Sequence, residues 1–305
     1  MEIIHHAREL SHPSRKVAVA IGVFDGVHLG HQQVLRQAIA DARGHGGIAV
    51  AVTFDRHPNS IVSPDRAPGL IYSLPQKLRS IASVGLDAVI LLKFDEPFSR
   101  ISGDSFIREL SKDIGDLLSV CVGSTFSFGH KRSGNVALLK DLGDELDFGV
   151  HGLAAVSLDG TRVSSTRLRE AITCGDIDAA SQMLGRPYAV CGAVVHGDKL
   201  GTSMGFPTAN LDITGLILPP SGVYAVRVQE HQGVMNIGSR PTLNRPSTEN
   251  RVEVHLLDYS GDLYGQEMEV TIIQRLRDEK QFSSLVELQT QIAQDVACAR
   301  GILGC

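Results

Sequence analysis

Runs rich in β-branched residues alternate with helical patterns along the first part of the chain, up to about residue 184. Such alternation is typical of a parallel sheet covered by helices. The apolar runs predict strands at Val17–Phe24, Ile48–Phe54, Ala88–Phe94, Ser119–Gly123 and Leu153–Leu158. Helices are predicted at Leu29–Arg43, before Gly44, at Ser165–Thr173, and from a cap at Asp176 to Leu184.

The pattern changes after Gly185, where strand-like segments are separated by Gly, Pro, Asn and Asp. These segments are Tyr188–Val195, Gly222–Gln229, Val252–Asp258 and Met268–Gln274. Ser284–Arg300 has apolar residues on one helical face and predicts a terminal helix. The second part of the chain is therefore predicted to be an antiparallel β domain.

The length agrees with two domains, since 305 residues are about twice a typical domain of about 150. A hydrophobic share of 43% allows each domain to bury a core. We place an α/β domain at residues 1–185 and an all-β domain at residues 186–305.

Charge and cysteine content exclude several classes of protein. The formal net charge of −5 argues against a broad basic surface for nucleic acid or membrane. The 5 cysteines include no C-x-x-C pair, so neither a disulfide framework nor a zinc finger is indicated. The first sixteen residues do not resemble a secretory signal, and the longest apolar runs fall far short of the ~18 residues of a membrane span. We expect a soluble, cytoplasmic protein.

A glycine-rich turn, G-V-F-D-G-V-H-L-G-H, joins the first predicted strand to the first helix and runs from Gly22 to His31. A helix N-terminus offers free N–H groups to a phosphate. His28 and His31, three positions apart, would face the same way and donate to phosphoryl oxygens. Half of a metal site and ordinary surface histidines are the two alternatives at this point.

A second glycine-rich segment extends from His196 to Asn210. Its Lys199 is suited to closing over phosphates, and Thr208 and Asn210 offer two oxygens to Mg²⁺ from one face of an extended segment. The alternative is a structural loop whose Thr and Asn cap turns. G-T-S-M-G at 201–205 matches the nucleophile elbow of serine hydrolases, but Pro207 and an extended segment follow where an elbow requires a helix.

The first turn resembles the H-x-G-H nucleotidyltransferases and, more closely, the bacterial bifunctional riboflavin kinase/FMN adenylyltransferases, or FAD synthetases. V-T-F-D-R-H-P at 52–58, F-G-H-K-R-S-G-N at 128–135 and V-S-S-T-R-L-R at 163–169 extend the resemblance. It implies a Rossmann-like domain in which His28, His31 and Arg167 stabilise the phosphates of ATP. From the residues alone, the last segment is also explained by helix capping and a solvated helix face.

The same resemblance implies two sets of contacts. The implied ATP contacts are Gly22, Phe24, Asp25, Gly26, His28, His31, Ser164, Ser165, Thr166 and Arg167. The implied flavin contacts are Thr53, Asp55, His57, Pro58 and Phe128. Thr125 and Ser127 depart from the family pattern, in which Asp or Asn and then a bulkier polar residue are more usual.

The segment G-F-P-T-A-N at 205–210 resembles the riboflavin kinase module, and the match continues through N-I-G-S-R-P-T at 236–242 and V-E-V-H-L-L-D at 252–258. It implies an antiparallel β-barrel in which Glu253 is the base acting on the ribityl 5′-hydroxyl. ATP contacts are implied at Gly197, Lys199, Thr208 and Asn210, Mg²⁺ at Thr208 and Asn210, and a flavin contact at Arg277. Without the resemblance, Glu253 is an ordinary solvent-facing strand residue.

Together the two resemblances imply a bifunctional enzyme with riboflavin, FMN and ATP as its small-molecule partners. ATP would phosphorylate riboflavin to FMN in the second domain and adenylylate FMN to FAD in the first, with Mg²⁺ as cofactor. We expect no nucleic-acid or membrane partner and a monomer or weak homo-oligomer. The alternatives are a riboflavin kinase with a weak or degenerate adenylylation site, motivated by Thr125 and Ser127, and a non-catalytic flavin-binding regulator.

Overall fold

The chain forms two compact units, Met1–Ser165 and Thr166–Cys305. A computed structural model describes residues 1–10, 15–197, 201, 204–240 and 249–304. The two compact units meet between Ser165 and Thr166, inside the S-S-T-R segment. The domain boundary between residues 185 and 186 stays a prediction, because the packing of the units does not test it.

Six parallel strands form the sheet of the first unit, in the order β1-β4-β3-β2-β5-β8. They are β1 (Glu2–Ile4), β2 (Val17–Ile21), β3 (Ile48–Phe54), β4 (Ala88–Leu92), β5 (Leu117–Gly123) and β8 (Gly149–Leu153). Two short hairpins are β6 (Ser127–Phe128) with β7 (Gly134–Asn135), and β9 (Ser157–Leu158) with β10 (Thr161–Arg162). The strand order reverses between β2 and β5, the position at which open α/β sheets bind ligands.

Helices cover both faces of this sheet. They are α1 (Leu29–Gly44), α2 (Asn59–Val62), α3 (Leu74–Ala82), α4 (Glu96–Ser99), α5 (Gly103–Ile114) and α6 (Val136–Leu146). On one face, Leu35 and Ala38 of α1 pack with Ala18 of β2. On the other, Ile107 of α5 packs with Val19. The predicted α/β class is confirmed, and so is the helix after the first strand.

The strand predicted at Leu153–Leu158 is wrong. The observed strand β8 ends at Leu153, and residues 157–158 pair instead with 161–162 in a hairpin. The prediction followed the apolar residues of L-A-A-V, whereas β8 is an edge strand, G-V-H-G-L, with one face only partly covered. Edge strands need fewer apolar residues, so their pattern is weaker.

The second unit contains all but the first residue of α7 (Ser165–Cys174), then α8 (Ile177–Leu184), a closed antiparallel barrel and a terminal helix, α9 (Leu285–Leu303). The barrel strands are β11 (Ala189–Val195), β12 (Ala209–Leu211), β13 (Gly222–Val228), β14 (His231–Arg240), β15 (Glu249–Leu256) and β16 (Glu267–Asp278). All four predicted strands of this part are present, and β12 and β14 were not predicted as strands. The predicted barrel with a terminal helix is confirmed.

Cys121, Cys174, Cys191 and Cys298 are free thiols. Among the described residues, no helix combines the length and the apolar character needed to cross a membrane.

Candidate active sites

The turn after β2 has an unusual backbone. Phe24, Gly26 and Val27 all have positive φ, at 52°, 80° and 42°. For the β-branched Val27 this conformation is strained, and such strain persists only where the surroundings fix it.

Asp25 supplies that fixation. Its carboxylate is 4% exposed and accepts hydrogen bonds from the backbone N–H of Ile71, at 3.0 Å, and of Tyr72, at 3.2 Å. Gln32 adds a bond from its side chain to the Val27 carbonyl, at 3.0 Å. The Asp25 side chain therefore stabilises the backbone conformation of the turn that leads to His28.

His28 and His31 lie together at the start of α1. Their rings are stacked, with centroids 3.7 Å apart and planes within 15°. The backbone N–H of His31 donates to Nδ1 of His28, which caps the helix, so the neutral His28 ring carries its proton on Nε2. A Cβ at Gly30 would lie 3.2 Å from the His28 ring, which explains the glycine at this position.

The S-S-T-R segment reaches this turn from the far end of the first unit. The hydroxyl of Ser165 donates to the backbone carbonyl of Asp25, at 3.2 Å. The carbonyl of Val163 lies 4.0 Å from the position of a Cβ at Gly30. Ser164 and Ser165 are therefore beside the histidine turn, and Thr166 and Arg167 follow on the first turn of α7.

Gly22 and Phe24 form the floor of the turn. A Cβ at Gly22 would lie 2.8 Å from the Phe24 ring, which is almost fully buried. Of the ATP contacts predicted in this unit, Gly22, Phe24 and Asp25 thus have structural roles, while His28 and His31 provide polar ring atoms at a helix N-terminus.

Thr53 is fully buried and donates from its hydroxyl to the Val23 carbonyl, at 3.1 Å. Beside it lies Lys77 of α3, whose ammonium donates to the Phe54 carbonyl at 2.7 Å and approaches Thr53 Oγ1 and the Val23 carbonyl at 3.4 Å. Burial lowers the pKa of Lys77 to about 8, although the negative charges of Asp25 and Asp55 oppose that shift. One buried amine thus holds the carboxyl ends of two neighbouring strands.

Asp55 ties the next pair of strand ends together. Its Oδ1 accepts from the Phe94 N–H at 2.8 Å, and its Oδ2 pairs with Arg56 at 3.1 Å. Burial acts to raise the pKa of Asp55, but the Phe94 amide and the Arg56 guanidinium outweigh it, and the pKa lies below its usual value. His57 accepts from the Asn59 N–H at 3.1 Å, and Pro58 precedes α2.

Six phenylalanine rings form a continuous chain along the same edge of the sheet. Successive ring centroids lie 5.2–6.2 Å apart, and most pairs meet edge to face. The members are Phe54, Phe94, Phe98, Phe106, Phe126 and Phe128. The structure therefore connects the predicted flavin residues around Asp55 with Phe128, 73 positions later in the chain, through aromatic contacts.

In the barrel, one row of directly paired positions crosses five strands. Asn210 pairs with Glu253, Glu253 with Asn236, Asn236 with Val223, and Val223 with Arg277. Directly paired residues share a face of a sheet. Val252 and Val254, which alternate with Glu253, are almost fully buried in the barrel, so the row faces outward.

A cavity of about 360 Å³ lies between this row and α9. Its polar lining includes Thr208, Asn236, Glu253 and Arg277. Its apolar lining comprises Met204, Phe206, Val223, Val234, Phe282, Leu288 and Ile292. Glu253 is therefore at a cleft rather than on an open strand surface, as the family resemblance implied and the residue alone did not.

A second cavity of about 440 Å³ also has Thr208 in its wall, together with Tyr259 and Tyr264. Thr208 thus lies where two cavities of different character meet. Lys199, the predicted phosphate-binding cation, lies outside the described residues.

Arg251 was not predicted, yet it lies at the centre of the polar cluster. Its Nε is 2.6 Å from Oδ1 of Asn210 and 3.1 Å from Oε1 of Glu253. A Cβ at Gly197 would lie 2.1 Å from the Asn210 amide and 2.6 Å from the Arg251 guanidinium. Gly197 is thus required for these two side chains to pack against the strand.

Arg277 has a buried partner. Its guanidinium binds the carboxylate of Asp295 at 2.8–3.2 Å. The guanidinium carbon also lies 5.8 Å from the centre of the Phe282 ring, over its face. Asp295 is 6% exposed and comes from α9. The pair fixes the helix over the row and places the predicted flavin contact Arg277 in the cavity wall.

Two family models match the chain. One, described as FAD synthetase, matches residues 10–167, and the other, riboflavin kinase, matches residues 184–303. A bifunctional riboflavin kinase/FMN adenylyltransferase of Escherichia coli strain K12 is 36% identical over 100% of this chain and 98% of its own. The chain belongs to the bifunctional riboflavin kinase/FMN adenylyltransferase family.

Other members of this family are equally similar, among them the Pseudomonas fluorescens protein, which is 37% identical over 99% of this chain and 98% of its own. A crystal structure titled macrolide-efflux protein from Streptococcus pneumoniae is also similar to this chain. It superposes with a TM-score of 0.80 at 29% identity and covers 98% of both chains.

Sequence reasoning missed Arg251, Lys77 and Asp295. The strand alternation that exposes Glu253 also places Arg251 on its face, so that signal was available. Lys77 and Asp295 lie on helices among ordinary polar residues, and only tertiary contacts distinguish them.

The depressed pKa of Lys77 predicts a particular pH dependence of stability. Between pH 8 and 10.5 the unfolded chain carries a proton on this amine that the folded chain has lost, so the free energy of unfolding gains about 3 kcal/mol across that window. Lys77→Met should lack this gain. Chemical denaturation at a series of pH values measures the difference between the two proteins.

Lys140→Met, which removes an exposed charge from α6, controls for the change in net charge. Carbon-13 NMR titration of the lysine Cε signals of the unsubstituted protein gives an independent check. A Lys77 signal that titrates near 10.5 would contradict the prediction.

Proposed function

We propose that this enzyme forms FMN in the outward cleft of the barrel and FAD at the histidine turn, with Glu253 as the base of the first reaction. The single observation that supports the kinase assignment is that Glu253 and Thr208 line one cleft at the place where two cavities meet.

The two cavities suit the two substrates of the kinase. The isoalloxazine ring of riboflavin fits the apolar wall that α9 closes, whereas the adenine of ATP fits beside Tyr259 and Tyr264. The ribityl chain and the triphosphate would then meet at Thr208. Pocket volumes of several hundred Å³ are typical of such ligands.

Glu253 accepts the proton of the ribityl 5′-hydroxyl, and that oxygen attacks the γ-phosphorus of ATP. The bond from the γ-phosphorus to its bridging oxygen breaks, and ADP leaves. Val252 and Val254 anchor the strand in the barrel core, so the carboxylate is held on a rigid element.

The site has hard oxygen donors for Mg²⁺ in Thr208 Oγ1 and Asn210 Oδ1, and a cationic group, Arg251, already binds the second of these oxygens. The residues therefore fit the ion. When bound, Mg²⁺ neutralises the phosphate charge of ATP. Thr208 and Asn210 would hold it.

At the histidine turn the reaction needs alignment and charge neutralisation rather than a protein nucleophile. An oxygen of the FMN phosphate attacks the α-phosphorus of ATP, and pyrophosphate leaves. The Nε2–H of His28 and the positive N-terminal end of α1 face developing negative charge, with His31 stacked to hold the ring. Arg167 adds a guanidinium.

The family match over residues 10–167 favours this reading over a kinase with a degenerate adenylylation site and over a non-catalytic regulator. Thr125, which motivated the degenerate site, accepts a hydrogen bond from Arg162 at 2.9 Å. Supplying FMN and Mg-ATP and measuring pyrophosphate tests the reading, since a normal rate excludes both alternatives.

Glu253→Gln should reduce FMN formation by about 100-fold or more, because the amide cannot accept the proton. FAD formation from supplied FMN should be unchanged. Separation of FMN and FAD over time measures both reactions in one assay. Glu230→Gln, on the exposed β13–β14 turn, is the matched control. Loss of both activities in a folded variant would contradict the two-site assignment.

Gly30→Ala should reduce FAD formation by about tenfold or more, because the new Cβ would lie 3.2 Å from the His28 ring and displace it. Riboflavin phosphorylation should continue at its normal rate. Gly44→Ala, at the end of the same helix, has no atom within 4 Å of its new Cβ and provides the control. Equal effects of the two substitutions on FAD formation would contradict the assignment to His28.

A further inference from the structure

Arg251 occupies a position for which the established reaction supplies no obvious need. Its Nε lies 2.6 Å from Asn210 Oδ1 and 3.1 Å from Glu253 Oε1. These are the oxygens of a proposed metal ligand and of the proposed base. The guanidinium therefore lies between Asn210, which is proposed to bind the metal of metal–ATP, and Glu253, which is proposed to deprotonate riboflavin.

The exposure of this pair shows that it is not an ordinary surface ion pair. The side chains of Arg251 and Glu253 are 28% and 29% exposed, and Asn210 is 7% exposed. Strand pairing fixes Asn210 directly opposite Glu253, and Arg251 lies two positions before Glu253 on the same face. Two oxygens thus converge on one cationic nitrogen in a partly desolvated site, as they would on a bound metal ion.

We propose that Arg251 is a positioning residue that acts as an internal cation in the kinase site, and that its guanidinium must leave Asn210 Oδ1 when metal–ATP binds. The inference rests on the proposed kinase function. It adds a competition, within this chain, between a guanidinium and a divalent cation for the same amide oxygen.

The competition has a physical use. In the absence of nucleotide, Arg251 neutralises Glu253 and keeps both side chains in place, so the site does not have to be ordered on binding. Phosphate oxygens arriving without a metal would leave the Arg251–Asn210 bond intact. Metal–ATP offers a doubly charged ion for Asn210 and releases the guanidinium, which stays beside Glu253 through their ion pair.

Removing the charge at position 251 should therefore make the metal easier to bind. Arg251→Gln is expected to lower the Mg²⁺ concentration for half-maximal FMN formation about tenfold at saturating ATP and riboflavin, because a hydrogen bond to a charged group no longer opposes the ion. The same variant should lower kcat, since Glu253 loses its positioning partner. Arg251→Lys keeps the charge but lacks the planar fork of the guanidinium. Its Mg²⁺ requirement and its kcat should lie between those of the unsubstituted protein and of Arg251→Gln.

Arg300→Gln is the matched control, since it removes an arginine that pairs with Asp258 away from the cavity. It should leave the Mg²⁺ requirement unchanged. A purely structural Arg251 would give Arg251→Gln a lower kcat with an unaltered Mg²⁺ requirement, and that result would overturn the proposal.

A second measurement is independent of turnover and uses a variant only to assign one signal. In nitrogen-15 NMR spectra of the unsubstituted full chain, the Arg251 Nε–Hε signal is identified as the one that Arg251→Lys removes. Addition of ADP with Mg²⁺ should shift this signal or speed its exchange with water, whereas ADP without metal should not. The signal reports on this site alone, even though the chain binds nucleotide elsewhere.

An Arg251 signal that responds equally to ADP with and without Mg²⁺, or to neither, would overturn the inference. If the unsubstituted chain makes no FMN, the proposed function is wrong. FMN formation with an unaltered Mg²⁺ requirement in Arg251→Gln contradicts only the role given to Arg251.

Discussion

The number of faces that a strand buries decides where chemistry is located in this protein. In the first unit the central parallel strands are covered on both faces, so their side chains are mostly apolar, as in the fully buried β2. The polar residues of the candidate site are concentrated in the turns that follow these strands. In the barrel, β15 buries Val252 and Val254 on its inner face, and its outer face carries Glu253 in one row with Asn210 and Asn236. The first site therefore lies at strand ends, and the second lies along a strand.

This difference determines how each site is made rigid. A site at a strand end is built on loops, and here the buried side chains of Asp25 and Lys77 secure them. Asp25 secures the histidine turn through the N–H groups of Ile71 and Tyr72, and Lys77 joins the ends of β2 and β3 through their carbonyls. A site along a strand takes its rigidity from the barrel ladder. It needs polar contacts only between neighbours, such as Arg251 with Asn210.

The same difference explains what could be predicted from the sequence. Both fold classes, most strands and the candidate residues His28, His31, Thr208, Asn210 and Glu253 follow from local patterns and short motifs. The edge strand β8 was misplaced because its pattern is weak. The ATP contact of Asp25 stays a prediction, and the sequence did not indicate that its carboxylate also binds a backbone segment 46 positions later. No local signal reveals such a partner, since it is created by the packing of distant segments. Arg251 could have been found by strand alternation, but its partner Asn210 lies 41 positions earlier.

Charge compensation connects the acidic composition with two sites for nucleotides. The chain has a net charge of −5, and three cations of the described sites have anionic or carbonyl partners in place: Arg251 binds Glu253, Arg277 binds Asp295, and Lys77 binds strand carbonyls. A free phosphate must compete with those partners, so bare anions gain little from these sites. Metal–ATP does not face this competition in the same way. Its ion can bind an oxygen that a cationic side chain held before, and its phosphates can accept hydrogen bonds from the N–H groups that are released. An acidic protein can therefore bind triphosphates selectively without a basic surface.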